Sequence, residues 1–161
     1  MTTQPEQVLE NNLIAQLISL GHKSVTIKTE ADLLKNLKLQ LEKHNNTSFS
    51  DTEFNRIVIH LSKGNIFAKA KTLRDKFVLL RDDGDKSYIE FINQDFWCQN
   101  LFQITNQITI NGKRENRYDV TILINGLPLV QIELKRRGIE LKKAFNQIQR
   151  YQRDSFASNH A

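Results

Sequence analysis

The spacing of apolar residues changes its period close to Lys76, and this change limits the folds open to the chain. Before Lys76, apolar residues recur at three- and four-residue intervals, which is typical of helices that pack by one face. After it they recur at every second position, as in strands. The pattern predicts helices, then an antiparallel meander, then one more helix. We therefore expect a single α+β or α/β layer structure.

The first part of the chain predicts four helices and one short strand. Ser50 and Glu53 have the spacing of a capping box, in which a side chain at the start of a helix and one three residues later each accept a backbone N–H. Gly21 ends the first helix. The expected helices are 5–20, 29–45, 50–61 and 66–74, and the expected strand is 23–28.

The second part predicts five strands. An Asp-rich turn at 82–85 separates the first two, and Asn125-Gly126 separates the last two. A final helix with apolar spacing from Leu141 to Phe156 is expected to pack on the sheet through its apolar side chains. The expected strands are 77–81, 87–92, 99–110, 117–124 and 129–135.

Composition excludes several classes of protein. The 161 residues contain no apolar stretch near the length of about 20 residues that a membrane span needs, and no signal peptide is recognisable at the start. One cysteine, Cys98, cannot form an internal disulfide, which favours a reducing, cytoplasmic location. We expect Cys98, Phe96 and Trp97 to lie in the core, and residues 1–161 to form one domain.

Positive charge is concentrated in the last third of the chain. The formal net charge is +5, yet residues 110–153 contain ten basic and four acidic side chains, a net charge of +6. A segment of this kind is suited to the phosphates of a nucleic acid, although a solvated basic face would have the same composition.

The predicted hairpin at 118–135 combines apolar alternation with three charged residues. If the turn is centred on Gly126, Val120 lies opposite Ile132, and Asp119 lies opposite Glu133, with Lys135 two residues further along the same face. Two facing carboxylates repel each other unless a cation lies between them. One Asp and one Glu suit Mg²⁺, and a nearby lysine suits the water and phosphate of a hydrolysis reaction. A solvated polar face neutralised by the lysine is the structural alternative.

These residues, together with Gln147 and Tyr151, resemble the PD-(D/E)xK nuclease superfamily with its Q-x-x-x-Y extension. More closely, Arg117–Val120, Ile132–Lys135 and Ala144–Tyr151 resemble the N-terminal nuclease domain of the R subunit of type I restriction enzymes. Tyr118, and not a proline, precedes the Asp. The resemblance implies a restriction-endonuclease-like α/β core, a central mixed sheet flanked by helices, and Mg²⁺-dependent cleavage of double-stranded DNA.

The resemblance also implies individual roles. Asp119 and Glu133 would hold the metal together with the Leu134 carbonyl, and Lys135 would serve the attacking water. Gln147 and Tyr151, one helical turn apart, would face the site or the nearby DNA. A glutamate of the first helix would lie near the metal, with Glu10 as the candidate and Glu6 as its rival. The expected DNA contacts are Lys113, Arg114, Arg117, Arg136, Arg137 and Arg150.

Type I R subunits continue into an ATP-driven translocase, whereas no G-x-x-x-x-G-K-[ST] loop occurs in this sequence. The expectation is a fragment that acts with methyltransferase (M) and specificity (S) subunits, with ATP needed only by the missing part. Two alternatives remain open. One is a stand-alone nuclease of the same superfamily in DNA repair or phage defence, and the other is a non-catalytic DNA-binding or assembly module.

Overall fold

The computed structural model describes residues 5–111, 115–135 and 141–151; the side chains of 110–118, Leu141 and Tyr151 fall outside this description. Within it the helices are α1 (Glu6–Ser19), α2 (Glu30–His44), α3 (Asp51–Ser62), α4 (Ile66–Arg74) and α5 (Leu141–Tyr151). The strands are β1 (Lys23–Ser24), β2 (Phe77–Leu80), β3 (Lys86–Ile89), β4 (Phe102–Asn111), β5 (Glu115–Ile124) and β6 (Leu127–Ile132). All five predicted helices are confirmed, and Phe156 lies outside the described residues.

Short-range side-chain hydrogen bonds explain where two of the helices begin. At α3 the predicted capping box is present: Ser50 Oγ accepts from the Glu53 amide at 3.2 Å, and the Glu53 carboxylate accepts from the Ser50 amide at 2.9 Å. At α2, Thr29 and Asp32 make the same exchange at 3.2 and 3.1 Å. These bonds satisfy backbone donors that a helix start otherwise leaves open.

The strands form two sheets. One has four strands in the order β1-β4-β5-β6, and the other contains only β2 and β3, paired antiparallel. β1 runs parallel to β4, whereas β4, β5 and β6 follow one another through connections too short for a parallel crossover. The expected α/β class with a mixed sheet is therefore confirmed. β1 is shorter than predicted, and β6 ends at Ile132, so Glu133–Lys135 follow the strand and are not part of it.

The turn between β5 and β6 corrects the predicted register. Asn125 and Gly126 both have positive φ, 50° and 83°, which is the backbone of a two-residue type I′ hairpin loop. A two-residue loop pairs Ile124 with Leu127, and counting back along regular strands then puts Asp119 opposite Ile132. The prediction that Asp119 faces Glu133 directly is wrong, because it assumed a turn centred on Gly126 alone.

The chain divides into two compact units, each with its own apolar cluster. The first unit comprises Met1–Leu33, Phe102–Leu123 and Pro128–Ala161, and the second Leu34–Leu101 and Ile124–Leu127. The first is centred on Ile27, Leu33, Ile108 and Leu123. The second is centred on Leu37, Leu41, Phe49, Ile57, Leu79, Ile89, Phe91, Ile92 and Leu127. That residues 1–161 form a single nuclease domain stays a prediction.

Several side chains predicted to be buried are exposed. Phe96, Trp97 and Cys98 lie in or beside a short 3-10 turn at the surface, so they are not core residues. In α5, Phe145 and Ile148 are also exposed, and the half-buried positions are Ala144 and Gln147. The apolar spacing predicted this helix correctly but did not predict which of its side chains are buried. No helix in the described part of the chain is long and apolar enough to cross a membrane.

Gly126 is a sharp test of the hairpin turn. Its φ is 83°, and a Cβ at this position would lie 2.8 Å from the Leu37 Cα. We expect Gly126→Ala to lower the free energy of unfolding by about 3 kcal/mol, through left-handed strain plus a backbone clash. Gly84→Ala is the matched control, because φ there is 92° with nothing within 4 Å; strain alone predicts about 1 kcal/mol. Equal losses in urea denaturation would contradict this account of the turn.

Candidate active site

Asp119 is attached to the segment that follows β6 by one short hydrogen bond. Its Oδ2 accepts from the backbone N–H of Leu134 at 2.7 Å. The bond joins the middle of the hairpin's first strand to the residues just past the end of its second strand. It therefore brings Asp119 to Glu133 and Lys135, although the strands do not pair them directly. The predicted role for Leu134 concerned its carbonyl, and sequence reasoning missed that its amide fixes the aspartate.

Glu133 and Lys135 form a short ion pair. Lys135 Nζ donates to Glu133 Oε1 at 2.7 Å. The Lys135 side chain is 22% exposed and the Glu133 side chain 4%. A solvated polar face would leave both side chains largely in water, so the burial of Glu133 argues against that alternative. The second carboxylate oxygen, Oε2, is buried and has no hydrogen-bond partner among the described residues. A buried oxygen without a partner is unfavourable unless something else neutralises it.

The pKa values of the Asp119 and Glu133 carboxyl groups both lie above their ordinary values. Burial raises the pKa of Asp119 above its ordinary 3.8, opposed by the Leu134 amide and by Lys135. Burial likewise raises the pKa of Glu133 above 4.5, and the charge of Asp119 adds to the rise while Lys135 opposes it. Burial is the main cause of both shifts, and carboxyl groups with perturbed pKa values are concentrated at functional sites.

The pKa of Lys135 is raised, whereas burial lowers the pKa of an isolated lysine. Burial alone would lower its pKa below 10.5, but the hydrogen bond to Glu133 and the charges of Glu133, Glu6 and Asp119 outweigh burial and raise it. Lys135 is therefore an ammonium at neutral pH. In this state it donates hydrogen bonds and cannot accept a proton.

The two glutamates of α1 relate to the site in different ways. Glu10 is buried, at 4% exposure, and its carboxylate accepts from Asn106 and Gln107. Its charge raises the pKa of Asp119. Glu6 is exposed, and its charge raises the pKa of Asp119, Glu133 and Lys135. Both candidates therefore lie within electrostatic range of Asp119.

Among the described residues, no group of three or more His, Cys, Asp or Glu side chains is arranged to hold a metal ion. Asp119 and Glu133 provide two carboxylates, one of them with an unpaired oxygen. Because Mg²⁺ usually keeps several waters and binds through one or two protein carboxylates, two such groups suit it. Glu10 as a third ligand stays a prediction.

The structure describes the remaining predicted site residues only in part. Gln147 is half-buried in α5, and Tyr151, four positions later, is the last residue of that helix. Arg150 is exposed. The side chain of Arg117, and residues Lys113, Arg114, Arg136 and Arg137 as a whole, lie outside the described residues. Their proposed roles at the site and on DNA stay predictions.

Comparison with known proteins decides the family. The family model described as "Type I restriction enzyme R protein N terminus" matches residues 3–161. The chain belongs to this family. The predicted resemblance is thereby confirmed at the level of family membership.

Curated relatives agree with this family assignment. The endonuclease subunit of type I restriction enzyme SsaAORF53P from Staphylococcus saprophyticus is 47% identical over 161 residues, which cover 97% of this chain and 17% of that protein. The SauCOLORF180P subunit from Staphylococcus aureus is 45% identical with the same coverage. The EcoprrI subunit from Escherichia coli is 38% identical over 164 residues, 98% of this chain and 52% of that protein. This R-protein N-terminal chain thus spans about a sixth of the length of the staphylococcal relatives.

The raised pKa of Asp119 makes the stability of this R-protein N-terminal chain depend on pH. Above pH 3.8 Asp119 is ionised to a greater extent in the unfolded chain than in the folded chain. The free energy of unfolding of the metal-free chain therefore falls as pH rises from 3.8 through the higher pKa that Asp119 has in the folded chain. We expect Asp119→Asn to be more stable than wild type at pH 7, because the amide oxygen can still accept from Leu134. The difference should shrink as pH falls towards 3.8.

Urea denaturation at several pH values, in the presence of a chelator, measures this difference. Asp95→Asn is the matched control at an exposed aspartate and should show neither effect. An Asp119→Asn variant that is less stable than wild type at pH 7 would contradict the electrostatic description.

Proposed function

We propose that this chain is the Mg²⁺-dependent endonuclease domain of a type I restriction enzyme R subunit, hydrolysing phosphodiester bonds of double-stranded DNA. Its core would be of the PD-(D/E)xK type, with Asp119, Glu133 and Lys135 as the reactive group. Family membership supports the assignment, as do the three relatives described above, which are all endonuclease subunits of type I restriction enzymes.

One observation carries the proposal: among the described residues, two partly desolvated carboxylates, Asp119 and Glu133, share a single ammonium, and Glu133 Oε2 is buried without a hydrogen-bond partner. In a purely structural cluster this oxygen would destabilise the fold without compensation. A divalent cation held by Asp119 and Glu133 would neutralise the excess charge and occupy the open oxygen. When bound, Mg²⁺ would supply Lewis-acid polarisation of the phosphate and a more acidic water.

The chain's own residues would do the rest. The Leu134 amide holds Asp119 in one orientation, and Glu133 holds the Lys135 ammonium at 2.7 Å. Because its pKa is raised, we assign Lys135 to donating hydrogen bonds, which orient the water and offset the negative charge that develops on the phosphorus oxygens. Gln147 and Tyr151 would approach the same phosphate from α5.

Positive charge would bring the DNA backbone to these acids. The segment 110–153 has a net charge of +6, and in α5 Lys142, Lys143 and Arg150 are exposed. Cationic side chains around an acidic pocket attract phosphates, while the pocket retains the metal ion. Lys113, Arg114, Arg117, Arg136 and Arg137 are the further candidates for these contacts.

Other parts of the R subunit and the partner subunits would carry out the remaining steps of the restriction reaction. ATP-driven translocation is assigned to another part of the R subunit, because this sequence has no phosphate-binding loop of the P-loop type. Site recognition and methylation are assigned to the S and M subunits of a cytoplasmic complex. Efficient cleavage by this domain would therefore depend on that assembly.

Lys135 gives the direct test of catalysis. We expect Lys135→Ala, introduced into the R subunit assembled with M and S subunits, to slow cleavage of circular duplex DNA at least about 100-fold with Mg²⁺ and ATP present. Lys35→Ala is the matched control, since Lys35 is an exposed lysine of α2. It should cut at the wild-type rate. Wild-type cleavage by Lys135→Ala would overturn the proposed function.

Arg150 tests the contribution of α5 to DNA binding. If its guanidinium contacts a phosphate, Arg150→Gln should reduce the slope of log affinity against log salt by about 1 and weaken binding equally for different DNA sequences. Fluorescence anisotropy with labelled duplexes at several salt concentrations measures both. Lys35→Gln should leave the slope unchanged, and an unchanged slope for Arg150→Gln would remove this residue from the DNA contacts.

A further inference from the structure

The Glu10 carboxylate is held by two neighbouring residues of one strand. Oε1 accepts from Asn106 Nδ2 at 2.7 Å, and Oε2 accepts from Gln107 Nε2 at 2.6 Å. Both oxygens of a side chain in α1 are therefore fixed by amides almost a hundred residues later in the chain. Two hydrogen bonds, one to each oxygen, determine the orientation of the carboxylate as well as its position.

This arrangement requires an unusual backbone. In a regular strand, consecutive side chains point to opposite faces, so Asn106 and Gln107 could not both reach one carboxylate. Gln107 has a φ of 59°, in the left-handed region that a non-glycine residue seldom adopts. This conformation interrupts the alternation of β4, as in a bulge. Strained backbone of this kind is concentrated at functional sites.

The contacts give Glu10 an uncommon electrostatic setting. Glu10 is 4% exposed, and no basic side chain among the described residues forms an ion pair with it. Neutral amides satisfy its oxygens but do not cancel its charge. β4, whose amides hold Glu10, is the direct neighbour in the sheet of β5, which carries Asp119.

We propose that Asn106 and Gln107 are positioning residues of the active site, which orient the Glu10 carboxylate so that its charge strengthens metal binding at Asp119 and Glu133. Neither amide touches the metal or the DNA in this scheme; both act through Glu10. The inference rests on the proposed function, since it assumes that the site binds a divalent cation. It adds two residues of β4 to a site built from α1 and the β5–β6 hairpin.

Gln107→Gly separates positioning from folding. Glycine adopts positive φ without strain, so it keeps the backbone of β4 while removing the amide that holds Glu10. We expect this variant to bind Mn²⁺ about 10-fold more weakly than wild type, the usual loss when a residue supporting a metal ligand is removed. Asn106→Ala should give a similar loss. Free Mn²⁺ is measured by electron paramagnetic resonance on the 161-residue chain without DNA, with folding verified by circular dichroism.

A double-mutant cycle tests whether the amides act through Glu10. Combined with Glu10→Gln, the Gln107→Gly change should weaken Mn²⁺ binding no further, because the charge it orients is already gone. Full additivity of the two effects would overturn the proposal. So would unchanged Mn²⁺ affinity in both Gln107→Gly and Asn106→Ala.

Asp119→Asn distinguishes failure of this inference from failure of the proposed function. If Asp119→Asn abolishes Mn²⁺ binding while Gln107→Gly and Asn106→Ala bind normally, the metal site stands and the positioning role is wrong. If Asp119→Asn binds Mn²⁺ as well as wild type does, the proposed metal site is wrong, and the role of the amides falls with it.

Discussion

The candidate site depends on a charge imbalance: within the part of the chain that the structure describes, the carboxylates of Asp119 and Glu133 share one ammonium, that of Lys135. Burial raises the pKa of both acids, and the same acids raise the pKa of the lysine. Without a cation, this cluster reduces the stability of the fold at neutral pH. In the proposed function a cation bound by both acids would take up the unpaired Glu133 oxygen and the excess charge. The same arrangement would then lower the stability of the metal-free fold and favour metal binding.

Several local features of the chain hold this imbalance in place. A two-residue turn at Asn125-Gly126 returns β6 alongside β5, and the Leu134 amide then captures Asp119 just beyond the end of β6. The left-handed conformation of Gln107 allows two consecutive residues of β4 to hold the Glu10 carboxylate. Each of these features is a local departure from regular strand geometry. Regular strands alone would have left Glu10 without one of its two donors.

Much of the scaffold was predictable, because its signals are local in sequence. The capping box at Ser50, the turn at Asn125-Gly126 and the change of apolar period each involve residues within a few positions of one another. The cluster of Asp119, Glu133 and Lys135 was predicted from strand alternation, although the exact register was wrong by one residue. The cluster survives that error because a hydrogen bond to the backbone of Leu134, and not strand pairing, draws the side chains together.

Long-range contacts and exposure were not predictable in this way. No sequence pattern connects Glu10 to Asn106 and Gln107, and no local rule assigns positive φ to a glutamine inside a strand. Apolar composition likewise did not reveal that Trp97 is exposed. Periodicity identifies which residues share a face, but coverage of that face depends on distant parts of the chain.

A crystal structure of the chain soaked with Mn²⁺ tests the central claim most directly. Anomalous scattering would locate the ion without reference to activity or to partner subunits. The account predicts one strong peak about 2.1 Å from Glu133 Oε2 and from a carboxylate oxygen of Asp119, the distance usual for a small divalent ion. A map at saturating Mn²⁺ with no peak between these two side chains would contradict it.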